Sequence, residues 1–171
     1  AIAMAEAVAG GADALRERPT IALYVNVTRG LVHNGDSLRK LLILAERGLP
    51  ALWIPVTSGG TTGPVTMAGN IALNNAGVLV GVVLAQLVRE GTPVVIPGFG
   101  GDALDLRTMV DPYAEPDHRG MVPSLAHHYG LPMFSLAGGS DSKRPDQQAA
   151  SEAALTMLGD ALAGGHLIHD S

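Results

Sequence analysis

Three short joints punctuate this chain: Gly48-Leu-Pro50, Gly91-Thr-Pro93 and Gly130-Leu-Pro132. Each separates a segment of helical character from a short run of β-forming residues. A glycine stops a helix by turning left-handed at no steric cost, and a proline just beyond it cannot continue the helix. The runs at 51–56 (ALWIPV), 92–96 (TPVVI) and 131–136 (LPMFSL) are rich in Val, Ile and Leu with little polar alternation. Strands of that kind are buried on both faces, as in parallel sheets. Residues 21–27 (IALYVNV) and 166–169 (HLIH) extend the series. The cadence is strand, polar loop, helix, glycine stop, strand. Right-handed βαβ crossovers then gather the strands into one sheet with helices outside. The expected fold class is α/β, with repeated βα units on a parallel sheet.

The intervening helices have their own signals. Asp36 can N-cap a helix to about residue 47, with Leu38, Leu41, Leu42 and Ala45 spaced along one buried face. A helix within 65–89 is nearly apolar all round at 78–88, which predicts burial against neighbours on more than one side. Residues 118–129 predict a helix that holds Pro123 in its first turn or is kinked by it. Another helix is expected over 146–163, with Asp146 or Pro145 near its start. Residues 1–10 are apolar but lack a basic region and contain Glu6, so a helix is expected rather than a signal peptide.

About five strands fall short of a full (β/α)8 barrel, which needs roughly 250 residues. Two architectures remain: an arc of a TIM-type barrel, or an open doubly wound sheet. No closing helix follows His169, which favours the arc, a single domain over 1–171 with an incomplete barrel.

The 171 residues, 47% of them hydrophobic, suffice for one sizeable core. A net charge of −5 gives no basic footprint, so neither nucleic acid nor an anionic membrane surface is an expected partner. Self-association is left open. With no cysteine there are no disulfides or thiolate metal sites, which suits a reducing, cytoplasmic setting. The apolar run 78–88 reads as too short to span a bilayer. Asn26-Val-Thr28 matches a glycosylation pattern but carries little weight without a secretory signal.

Ligands of parallel α/β proteins bind where strands hand over to helices. The segment Ser135-Leu-Ala-Gly-Gly-Ser-Asp-Ser-Lys-Arg-Pro-Asp-Gln-Gln148 makes such a handover. Its Ser140, Asp141, Lys143 and Gln147 are the leading ligand candidates; a capped Asp–Ser turn is the alternative. Thr57, Ser58, Thr61 and Thr62 lie in a glycine-rich loop whose amides could hold an anion, although its spacing matches no nucleotide motif. After the third strand, Asp102 or Asp105 could offset an ammonium charge and Arg107 could clamp a carboxylate, or the two types could pair with each other. Of His169 and Asp170, only one can look inward from a strand. Asn26, Thr28 and His33 follow the first strand. A cation–π cage would draw on Trp53, Tyr24, Phe99 or Phe134, for which core packing is the default. His127 and His128 read as packing residues on a helix. No tight ligand cluster is present, so no protein-bound metal is expected.

The segments Gly59-Gly-Thr-Thr-Gly-Pro-Val-Thr-Met-Ala-Gly-Asn70, 75–95, Asp105-Leu-Arg-Thr-Met109, Gly138-Gly-Ser-Asp-Ser-Lys143 with Asp146-Gln-Gln-Ala149, and His166-Leu-Ile-His-Asp170 resemble the trimethylamine methyltransferase (MttB-like) family. The resemblance runs in order over nearly the whole chain. It implies a TIM-type barrel that moves a methyl group from a tertiary or quaternary amine, such as trimethylamine or glycine betaine, to the cobalt of a corrinoid (cobalamin) carried by a cognate partner protein. It further implies that the chain is a central part of a longer protein. No non-standard residue is present, so relatives without pyrrolysine are the better guide. Gly77 stands where the family pattern leads one to expect an acidic residue. In such chemistry the protein supplies no nucleophile; it holds a cationic donor with one methyl aimed outward, and positioning is its main contribution. A non-catalytic barrel segment and a phosphate-binding α/β enzyme are the competing readings.

Overall fold

The computed structural model describes residues 1–28, 31–100, 103, 105–108 and 120–169. Helices α1 (Ile2–Ala9) and α2 (Ala12–Glu17) precede five strands: β1 (Leu23–Asn26), β2 (Ala51–Ile54), β3 (Val94–Pro97), β4 (Met133–Leu136) and β5 (Leu167–His169). The connecting helices are α3 (Gly35–Arg47), α4 (Met67–Val88), α5 (Met121–Tyr129) and α6 (Gln147–Leu162). All four strand pairs are parallel, in the order β1-β2-β3-β4-β5.

That order decides between the two expected architectures. A doubly wound sheet reverses direction at a switch point, whereas here each connection steps to the next strand, as in a barrel. The sheet also curls. The rings of Tyr24 on β1 and Phe134 on β4 are 5.5 Å apart, and Tyr24 and His169 on β5 are 6.1 Å apart. Three strand spacings in a flat sheet would separate β1 from β4 by about 14 Å. These rings therefore line a concave face, with the helices on the convex one. The convex cluster joins Val25, Ala51, Trp53, Val94, Ile96 and Met133 to Leu41, Leu44, Val78 and Ala85 of the helices. The smaller concave cluster holds Ile54, Val95 and Phe134, flanked by Leu52, Val56 and Phe99.

The three joints do two tasks at once. Gly48, Gly91 and Gly130 take φ of 66°, 80° and 64°. The carbonyl of the proline that follows each then accepts from the neighbouring strand: Leu23 N–H to Pro50, Ala51 N–H to Pro93 and Ile96 N–H to Pro132, at 3.0–3.3 Å. One tripeptide thus ends a helix and starts a rung of the ladder. Gln86, which interrupts the apolar run, braces the middle joint: it accepts from Gly91 N–H and donates to Thr92 O, both at 2.8 Å.

Three expectations need correction. The cap of α3 is Asn34, not Asp36: Asn34 has the extended backbone a cap requires (φ −70°, ψ 150°), and its Oδ1 accepts from Ser37 N–H at 2.7 Å. Asp36 lies inside the first turn. Helix α4 is not covered on several sides. Its buried stripe is Asn70, Asn74, Gly77, Val78, Gly81 and Ala85, while Leu79, Val83 and Leu87 face outward at 38%, 53% and 78% exposure. The stripe is small because Trp53 fills the space between β2 and α4. Its indole N–H donates to Gly77 O at 2.9 Å, and a Cβ on Gly81 would collide with the ring. The ring collision explains the glycine at 81, whereas the bond to the Gly77 carbonyl would be available to any residue. Finally, α4 extends beyond the 78–88 run to 22 residues and is long and apolar enough to cross a membrane. Its polar stripe and the Trp53 contact nevertheless dock it on the sheet. Pro123 sits in the first turn of α5, so no kink arises; residues 118 and 119 of the expected helix lie outside the described residues.

Candidate active site at the strand C-terminal ends

The loop after β4 is bound to the helix that follows it. Gly138, at φ 89°, donates its N–H to Thr156 Oγ1 at 3.0 Å. Ser140 Oγ donates to Glu152 Oε2 at 2.6 Å, and Asp141 N–H reaches the same oxygen at 2.9 Å. Ser142 N–H donates to Ser140 Oγ at 2.9 Å, and Gln148 Nε2 holds the other Glu152 oxygen at 2.8 Å. Asp146 caps α6 by accepting from Ala149 N–H at 3.0 Å and lies 3.0 Å from Ser142 Oγ. The Ser140 hydroxyl, then Gln148 and the Asp141 amide, hold the Glu152 carboxyl below the ordinary glutamate range. The Ala149 amide and then Ser142 do the same for Asp146. Both are therefore anions at neutral pH. Of the candidates, Ser140 is spent on the turn, Asp141 is half-buried, and Lys143 and Gln147 are exposed. Glu152 escaped the sequence reading. Its signal was a polar pair, Glu152 and Thr156, one helical turn apart where α6 faces the sheet.

The loop after β2 does not form an anion nest. Its amides turn inward: Thr61, Thr62 and Gly63 N–H all approach Ser58 O at 3.1–3.3 Å, and Gly60 N–H donates to Gly63 O. Thr61 Oγ1 donates to Ser58 O, and Thr62 Oγ1 accepts from Ser58 N–H. Thr61 and Thr62 thus shape the turn. Thr57 is buried and donates its N–H to Asn74 Oδ1 at 2.9 Å, while its hydroxyl meets both Asn70 Oδ1 and Asn74 Oδ1. Asn70 and Asn74, also one turn apart and likewise missed, tie this loop to α4. An added Cβ on Gly63 would lie 2.6 Å from Asn70 Oδ1 and Thr57 Oγ1, so this corner has no spare room.

The loop after β3 joins the previous one through a Gly59–Ala103 bridge. Arg107 clamps Asp105 with two prongs, Nε to Oδ1 and Nη2 to Oδ2, both at 3.1 Å. This contact is the main reason the Asp105 carboxyl lies below its ordinary range and the Arg107 guanidinium above its own. Arg107's clamp is therefore already engaged on its neighbour. Asp102 and Asp170 lie outside the described residues. After β1, Thr28 accepts from Asn34 Nδ2 at 2.7 Å, and Asn26 O accepts from the Ser37 hydroxyl. His33 stacks on Trp53 at 5.5 Å, and burial lowers its pKa. All three serve the α3 entry and the convex core. At the opposite end of the sheet, His127 Nε2 lies 2.8 Å from Ala163 O and His166 Nδ1 accepts from Met133 N–H.

Beneath the mouth, the concave wall carries four rings. His169 stacks on Phe134 at 4.7 Å, Phe99 meets Phe134 edge-on at 5.1 Å, and Tyr24 borders both Phe134 and His169. Phe134 is 1% exposed and has no open face, whereas Tyr24 is 46% exposed toward the hollow. Trp53 points the other way and is excluded from any cage here.

An in-order parallel arc with polar loops at its strand ends and a ring-lined hollow defines a sector of a TIM-type barrel. The chain matches the family Trimethylamine methyltransferase (MTTB) over residues 1–171 and belongs to that family. It is 37% identical over 170 residues to Trimethylamine methyltransferase MttB of Desulfitobacterium hafniense (strain DSM 10664 / DCB-2), covering 97% of this chain and 34% of that protein. It is 32% identical over 162 residues to Glycine betaine methyltransferase of Desulfitobacterium hafniense (strain Y51), covering 93% of this chain and 34% of that protein. Against Trimethylamine methyltransferase MttB of Methanosarcina thermophila it is 32% identical over 163 residues, covering 94% of this chain and 34% of that protein. The chain thus spans about a third of the length of these relatives.

Proposed function

We propose that this chain is the central barrel sector of a cytoplasmic methyltransferase that takes a methyl group from a tertiary or quaternary methylated amine. The acceptor would be the cobalt(I) of a corrinoid presented by a separate protein. The observation that carries the proposal is the ring wall on the concave face, where Tyr24 and His169 border the buried Phe134, in a chain of this family. A methylated ammonium is large, weakly hydrated and unable to donate many hydrogen bonds, so ring faces suit it better than a tight carboxylate pair. A carboxylate clasp would stabilise the cation in the ground state, and charge leaves the amine in the transition state. In the transfer the C–N bond breaks, its electron pair stays on nitrogen, and the methyl passes to the acceptor.

The phosphate-binding alternative loses its support, because the amides of 60–63 are turned onto Ser58 and Gly63 carbonyls. Among the described residues the outer edges of β1 and β5 have no neighbouring strand, so the isolated chain is expected to be inactive. The test is methyl transfer by the full-length protein to a reduced corrinoid, with trimethylamine, glycine betaine and related quaternary amines as donors. Methylcobalt formation with at least one donor is expected; no transfer with any of them would sink the proposal.

A further inference from the structure

Four polar groups of the β4–α6 loop end, directly or through one hydroxyl, on two side chains of one helix face. Glu152 takes Ser140 and Asp141 directly and Ser142 through the Ser140 hydroxyl, while Thr156 takes Gly138. Gln148, one turn before, fixes the rotation of the carboxylate by holding its second oxygen. Charge-assisted bonds to one anchored carboxylate are stronger and shorter than bonds among neutral groups. The anchor also has a required shape. One oxygen must accept two donors while the other faces an amide NH2. A glutamine in that place would need Gln148 to turn its amide and would give up the charge that strengthens these bonds, and an aspartate would be one methylene short.

We propose that Glu152 is a positioning residue: its carboxylate holds the turn that carries Asp141 and Lys143 and thereby sets the affinity for the methyl donor. The inference rests on the reading that this loop meets the amine at the barrel mouth. Glu152 itself lies one helix face behind the loop and touches no substrate. Because it is partly exposed, its removal loosens the loop far more than it lowers the stability of the barrel.

The test uses full-length protein with Glu152→Ala and Glu152→Gln. Amide hydrogen exchange is read at Asp141 and Ser142, and donor KM and kcat are read in the methyl-transfer assay. For Glu152→Ala the two amides should lose protection, and the donor KM should rise about tenfold or more, the loss expected for charge-assisted bonds. kcat should change by less than about threefold, because the reacting atoms keep their other contacts. Glu152→Gln should fall between wild type and alanine on both readouts. Unchanged protection in Glu152→Ala would overturn the anchoring role. Lost protection with an unchanged KM would show that the turn is held but takes no part in binding. If wild type transfers no methyl group, the proposed function fails and the affinity claim falls with it, while the exchange data still decide the anchoring role.

Discussion

The loops after β2 and β4 occupy equivalent places at the barrel mouth, and each is tied back by two polar side chains one turn apart on the next helix. The chemistry of the ties differs. Asn70 and Asn74 are neutral and buried, at 0% and 5% exposure, and they grip a Thr57 that is itself buried. Glu152 is charged and partly exposed, and it grips a loop whose other side is open to solvent. A neutral, sealed tie makes its loop part of the core. A charged tie at the surface makes its loop dependent on one ionisation and on one side chain. The β2 loop is thus sealed into the core, and the β4 loop is held from the surface.

The largest effect should come from breaking the sealed tie. Asn74→Leu leaves the buried Thr57 N–H without its acceptor and should cost about 3 kcal/mol in local stability, read by exchange of the α4 amides. A cost below about 1 kcal/mol would mean the corner is not sealed. Next is Gly63→Ala, which drives a methyl into Asn70 and Thr57 and should cost about 1–3 kcal/mol.

Acid should separate the two loops. The pKa of Glu152 is depressed in the fold, so its tie is complete above the ordinary glutamate value and is lost as pH falls through the depressed one. Asp146 loses its α6 cap in the same direction. Exchange protection at Asp141 should therefore be lost as the pH falls below the ordinary glutamate range, later than an unbonded glutamate would predict. Protection at Thr57, whose anchors do not ionise, should persist. Equal loss at both sites would erase the distinction. The smallest effect belongs to Asn34→Ala, which removes the α3 cap remote from both ties and should cost about 1 kcal/mol without altering either loop.

The backbone plan was legible because local chemistry dictates it. The Gly-x-Pro joints, the β-rich runs and the Asp146 cap appear where the residues placed them, with strands one to three residues shorter than the apolar runs. Crossovers alone do not choose between an arc and a reversal; the family resemblance favoured the arc, and the order β1-β2-β3-β4-β5 agrees with it. The Asn34 cap was missed because Asp36 has equal intrinsic aptitude and only the backbone angle separates them. The candidate site was legible by position more than by role. Ser140, Thr61, Thr62, Asp105 and Arg107 were visible as polar loop residues, yet each spends its polar group on a local partner. His169 stacks on Phe134 on the concave face of the sheet. Asn70, Asn74 and Glu152 were overlooked because polar residues on a helix usually mark a solvated face. Only the packing shows that Asn70 and Asn74 point inward and that Glu152 turns onto the loop.

The decisive measurement is a crystal structure of the full-length protein soaked with a quaternary amine donor in the absence of corrinoid. The amine should lie in the hollow at the C-terminal ends of β1, β4 and β5, within about 6 Å of the Tyr24 or His169 ring and below the loop anchored by Glu152. An amine bound on the convex helical face or at the opposite end of the strands, with the hollow empty, would contradict that placement.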